Sequence, residues 1–130
     1  MGFISVKGPE LLNMYVGESE KNVRQVFERA VACKPCIVFM DELDALIPKR
    51  GNGGDSNQVM DRIVAELLLQ MDLASSNQVF VIGATNRPDL LDPSIMRPGR
   101  FDKQIYLGIS SNQEDRIKIL KAQTRHLTLE

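Results

Sequence analysis

Apolar residues recur along this chain with two different periods, and each change of period marks an element. Val23, Val26, Phe27, Ala30 and Val31 fall at i, i+3, i+4, i+7 and i+8, the spacing of one buried helical face. Ser19 is placed to cap that helix, which starts near Glu20, and Pro35 stops it. Ile63, Val64, Leu67, Leu68 and Met71 predict a second amphipathic helix. Between the two, Cys36 to Met40 is an unbroken apolar run, and "VFVIGAT", Val79 to Thr85, is another. Such runs are expected of strands buried on both faces of a parallel sheet. Phe3 to Val6 and Ile105 to Leu107 read as shorter strands, and Glu114 to Thr124 as a helix with Ile117, Ile119 and Leu120 inward. "KGPELLNMYVG" and "PKRGNGGDS" read as loops, while "NRPDLLDPSIMRPGRFD" carries three prolines that forbid one long helix. Strands alternating with helices predict an α/β fold whose ligands bind at the carboxyl ends of the strands.

At one such end the pattern breaks in an unusual way. "IVFMDELD" runs four apolar residues straight into Asp41 and Glu42, with Asp44 close behind. A carboxylate taken out of water is costly unless a cation or hydrogen-bond donor meets it. The strand therefore ends either in solvent or at a site that holds a cation. Thr85 and Asn86 end the other long strand, on the same functional edge.

Composition narrows the classes of function. With 130 residues the chain is one domain or less, and 43% apolar with 25% charged residues is ordinary for a globular protein. A net charge of -1 provides no basic field for nucleic acid. The apolar runs are too short for membrane insertion, and "MGFISV" lacks the anatomy of a secretion signal. Cys33 and Cys36 form a C-x-x-C pair that follows a helical pattern instead of opening one, with no second pair to complete a zinc site. They read as packed, reduced thiols, and His126, the only histidine, reads as a surface residue.

An apolar strand ending in Asp-Glu suits nucleotide hydrolysis, with the Asp holding Mg²⁺ and the Glu polarising the attacking water. Taken together, "GPELLNMYVGESEKNVRQVFERA", "PCIVFMDELDALIPKRG" and "VFVIGATNRPDLLDPSIMRPGRFDK" resemble the AAA family of ATPases in order, spacing and residue identity. The resemblance implies a P-loop NTPase-type parallel sheet with flanking helices. Residues 1–112 would form part of the large α/β subdomain and 113–130 the start of the linker and helical lid. It implies ATP and Mg²⁺ as cofactors. Asp41 matches the Mg²⁺ carboxylate, Glu42 the base that activates water, and Asn86 the sensor of the γ-phosphate. Arg97 and Arg100 match arginine fingers, which complete the site of a neighbouring subunit; a surface ion pair with Asp92 or Asp102 is the plainer alternative for them. Met14, Tyr15 and Val16 match a pore loop that grips an unfolded polypeptide, and Lys49 and Arg50 lie where a second pore loop would be.

Partners follow from the same resemblance: homologous subunits in a hexameric ring, a paralogue among them, and a polypeptide substrate. Within the family, "YLGIS" after "FDK" leans toward the branch that serves peroxisome biogenesis and matrix protein import, cytoplasmic and recruited to the peroxisomal membrane. A segregase-type domain is the alternative. The phosphate-binding loop G-x-x-x-x-G-K-[ST] is absent from the sequence. The chain thus reads as an internal piece of an AAA module, and a non-catalytic interaction module is the competing expectation.

Overall fold

The computed structural model describes residues 1–12, 17–47 and 56–126. Three strands, β1 (Gly2–Lys7), β2 (Cys36–Asp41) and β3 (Val79–Gly83), form a parallel sheet in the order β1-β2-β3. Phe3 pairs with Ile37, which pairs with Phe80; Val6 pairs with Met40, which pairs with Gly83. A one-turn helix α1 (Gly8–Leu11) follows β1 where a loop was expected. Helix α2 (Glu18–Ala32) connects β1 to β2, a turn α3 (Leu43–Leu46) follows β2, and α4 (Ser56–Ser76) leads into β3. Two 3-10 turns, Pro88–Leu90 and Pro93–Met96, and a last helix α5 (Gln113–Gln123) complete the described chain.

Parallel crossovers are right-handed almost without exception. Two successive crossovers in the same direction therefore place α2 and α4 on the same face of the sheet. The two helices pack together, and Arg24 on α2 holds Glu66 on α4 by two bonds, Nε to Oε1 at 3.1 Å and Nη2 to Oε2 at 3.2 Å. The Glu66 carboxyl sits below the usual range because the Arg24 guanidinium bonds it. Val6, Val38, Met40 and Val79 meet Val23, Phe27, Ile63, Leu67 and Met71 in the core beneath. Each such side chain contributes about 1.5–3 kcal/mol when fully buried.

The opposite face differs from the expectation of double burial. Phe80 is 65% exposed and Ile82 38%, and β3 ends at Gly83 instead of Thr85. Phe3, also exposed, stacks on Phe39 with ring centroids 6.4 Å apart. The strands alternate as strands must, but only one side of the alternation is covered among the described residues.

Other expectations also change. The first long helix begins at Glu18 with Gly17 as its cap in the left-handed region (φ 83°), and Ser19 is buried inside the first turn instead of capping it. Ile105 to Leu107 form no strand among the described residues and are 84–90% exposed, because no neighbouring strand pairs with them. Helix α5 has no buried residue, so Ile117, Ile119 and Leu120 do not point into a core. Cys36 is buried as expected, whereas Cys33 is exposed; both are free thiols. His126 is on the surface. Among the described residues no helix is long and apolar enough to cross a membrane.

Candidate active site

Adjacent parallel strands bring their carboxyl ends side by side, and so Asp41–Glu42 comes to lie next to the segment after β3. Ala84 N–H donates to the Met40 carbonyl at 2.8 Å, and Leu43 N–H donates to the Ala84 carbonyl at 3.0 Å. Thr85 Oγ1 donates to Asp44 Oδ1 at 2.6 Å. The strand ends are thus stitched together on both sides of Glu42.

Asp41, half-buried, accepts the Glu42 N–H on Oδ1 at 2.8 Å. Its other oxygen has no partner among the described residues. A single carboxylate with one oxygen available suits Mg²⁺, which is held by one or two carboxylates together with substrate phosphates. Among the described residues no group of three or more His, Cys, Asp or Glu side chains could hold a metal ion by itself. The Asp41 carboxylate fits the metal side of a nucleotide site.

Glu42 is exposed and has left-handed backbone angles, φ 53° and ψ 49°. A non-glycine residue there costs about 1–2 kcal/mol, and such strain gathers at functional positions. The conformation turns the chain from β2 into α3 and brings the Glu42 carbonyl against α1. Gly8 makes that approach feasible, since a Cβ there would collide with the Glu42 carbonyl. Gly83 has a similar part: its missing Cβ would meet Leu43 Cδ2 at 2.8 Å and Phe101 Cζ at 3.0 Å. In the sequence Gly8 reads only as loop punctuation, because its close packing depends on Glu42, 34 positions away.

Asn86 is exposed, three residues past β3, with its side chain unengaged among the described residues. The structure therefore brings Asp41, Glu42 and Asn86 to one edge. The two arginines follow the second 3-10 turn. "RPGR" forms a tight turn closed by Arg100 N–H to the Arg97 carbonyl at 3.1 Å, with Pro98 in its second position and Gly99 at φ 86°. Arg97, at one corner, is exposed and makes no ion pair among the described residues. Arg100, at the other, is bound by Asp72 on α4, Nε to Oδ1 and Nη2 to Oδ2 both at 3.2 Å, and donates from Nη1 to the Ser94 carbonyl at 3.1 Å. The ion pair considered for these arginines thus exists for Arg100, but with Asp72 instead of Asp92 or Asp102. Asp92 caps the second 3-10 turn, accepting from Ser94 N–H at 2.8 Å. Met14, Tyr15, Val16, Lys49 and Arg50 lie outside the described residues.

Residues 1–109 match the profile of the ATPase family associated with various cellular activities (AAA). The chain belongs to that family, and its parallel sheet with helices is part of a P-loop NTPase-type domain. Among curated relatives, Peroxisomal ATPase PEX6 of Dictyostelium discoideum is 61% identical over 130 residues, covering 99% of this chain and 11% of the relative. Peroxisomal ATPase PEX6 of Kluyveromyces lactis is 63% identical over 132 residues, covering 100% and 13% respectively. The protein of that name from Rattus norvegicus is 60% identical over 129 residues, covering 98% and 13%. The chain spans little more than a tenth of the length of these relatives.

Proposed function

We propose that these residues are part of an AAA ATPase in which hydrolysis of ATP drives the unfolding or extraction of protein substrates. The observation that carries the reading is the stitched edge: a Mg²⁺-type carboxylate, an exposed glutamate in a strained conformation and an exposed asparagine, all at adjoining carboxyl ends of β2 and β3. Asp41 would hold Mg²⁺, which would neutralise charge on the nucleotide's phosphates. Glu42 accepts a proton from the attacking water, and Asn86 orients that water toward the γ-phosphate. The phosphate-binding loop is contributed by chain outside these 130 residues, which also covers the open face of the sheet. Residues 1–112 belong to the large α/β subdomain, and 113–130 begin the linker to the helical lid.

The subunits assemble as a hexameric ring in which Arg97 and Arg100 complete the neighbour's site. The proposed role is in peroxisome biogenesis and matrix protein import, in a cytoplasmic ring recruited to the peroxisomal membrane; relatives named Peroxisomal ATPase PEX6 support the peroxisomal part of that reading. The paralogue peroxin one is the proposed alternating subunit. A polypeptide is threaded past Met14, Tyr15 and Val16, so Tyr15→Ala abolishes threading while ATP turnover continues; a variant that threads normally removes the pore role.

Mixed rings test the assignment. Subunits carrying Arg97→Ala are combined with subunits carrying Glu42→Gln in the full-length ATPase. Action across the interface restores activity at those junctions where an intact Glu42 meets an intact Arg97. If every mixture is equally inactive while rings remain assembled, Arg97 acts within its own subunit.

A further inference from the structure

We propose that Asp44 and Thr85 are positioning residues that act as one unit to hold Glu42 and Asn86 in register; the proposal rests on the hydrolytic reading of that edge. The Thr85 hydroxyl is used twice. It donates to Asp44 Oδ1 at 2.6 Å and accepts the Arg87 N–H at 3.0 Å. The second bond spans Asn86 and closes a tight hydroxyl-to-backbone turn around it. The first anchors that turn two residues beyond Glu42. The distance is that of a charge-assisted O–H···O⁻ bond, and the site is partly buried, where such a bond outweighs its aqueous value.

The chemistry needs these residue types. An ionised carboxylate at position 44 only accepts, so the hydroxyl proton must point to it, which leaves the oxygen's lone pairs for Arg87 N–H. An asparagine in place of Asp44 has a donor that competes for the same oxygen. Valine in place of Thr85 keeps the shape and loses both bonds. Backbone bonds alone, Leu43 N–H to Ala84 and Ala84 N–H to Met40, fix the strands but stop short of Asn86. The Asp44–Thr85 pair extends the stitching to the residue that is to orient water. A misplacement of about 1 Å at a reacting group costs up to about 10²-fold in rate.

The test is steady-state ATP hydrolysis by the full-length ATPase carrying Thr85→Val, Asp44→Asn, both together, or Thr85→Ser. Asn86→Ala serves as the benchmark. The expected result is a fall in kcat of roughly 10- to 100-fold for each single change, with KM for ATP little altered. Thr85→Ser, which keeps the hydroxyl, recovers most of the loss. The double variant is no worse than either single one, as groups acting as a unit require. If Asn86→Ala leaves kcat unchanged, the hydrolytic reading of the edge fails and the proposal with it. If Asn86→Ala lowers kcat but Thr85→Val does not, the proposal alone is overturned. Additive losses in the double variant, or losses shared equally by KM and melting temperature, also overturn it by showing separate or merely structural roles.

Discussion

The two faces of the sheet are made of the same kind of residue and meet opposite fates. On one face Val38 and Met40 are fully buried beneath α2 and α4; on the other Phe80 is 65% exposed beside Ile82, Phe3 and the half-buried Phe39. Strand period explains the alternation, and crossover handedness explains the asymmetry. With β1, β2 and β3 in sequential order, both connecting helices must fall on the same side. Nothing in the composition of the second face makes it a surface. An apolar patch of this kind is a place where further protein packs, and the proposed covering chain is the rest of the ATPase domain. The site lies at the end of both faces, on the edge where β2 and β3 are bonded to each other.

Substitutions on each face, read by chemical denaturation, should separate the two. Met40→Ala should be the most damaging, at about 2–5 kcal/mol, because it empties a closed space between sheet and helices. A cost below about 1 kcal/mol would mean that this face is loosely packed. Phe80→Ala in the chain alone should change stability by less than about 0.5 kcal/mol, as exposed positions do. In the full-length ATPase the same change should cost about 3–5 kcal/mol, the value for a buried aromatic. Equal and small effects in both settings would show the second face to be a true surface.

The sequence carried the covered half of this picture well. The helical period at Val23 to Val31 and at Ile63 to Met71 identifies α2 and α4, and the apolar run before Asp41 identifies β2. The acids and Asn86 were legible because residue type and strand ends define the edge. Coverage of the second face was not, because an apolar run reads the same whether or not a neighbour packs on it. The same reason explains Ile105 to Leu107 and α5, whose pattern predicts packing that the described residues do not supply. The left-handed turn at Glu42 was invisible because backbone strain has no signature in residue type. Asp72 escaped notice as the partner of Arg100 because the pair joins residues 28 positions apart across a tertiary contact. The pore-loop reading at Met14 to Val16 stays a matter of sequence, since those residues are outside the described structure.

The proposed function depends most on Glu42 acting as the base at the edge formed by β2 and β3. The most direct measurement is ATP turnover and nucleotide binding by the full-length ATPase carrying Glu42→Gln. The amide keeps the shape of the carboxylate but accepts no proton from water, and the proposed Mg²⁺ ligand Asp41 is left unchanged. ATP is expected to remain bound while turnover falls by about 10²- to 10⁴-fold, the contribution of general-base catalysis. Turnover at the unsubstituted rate, with binding intact, would contradict it.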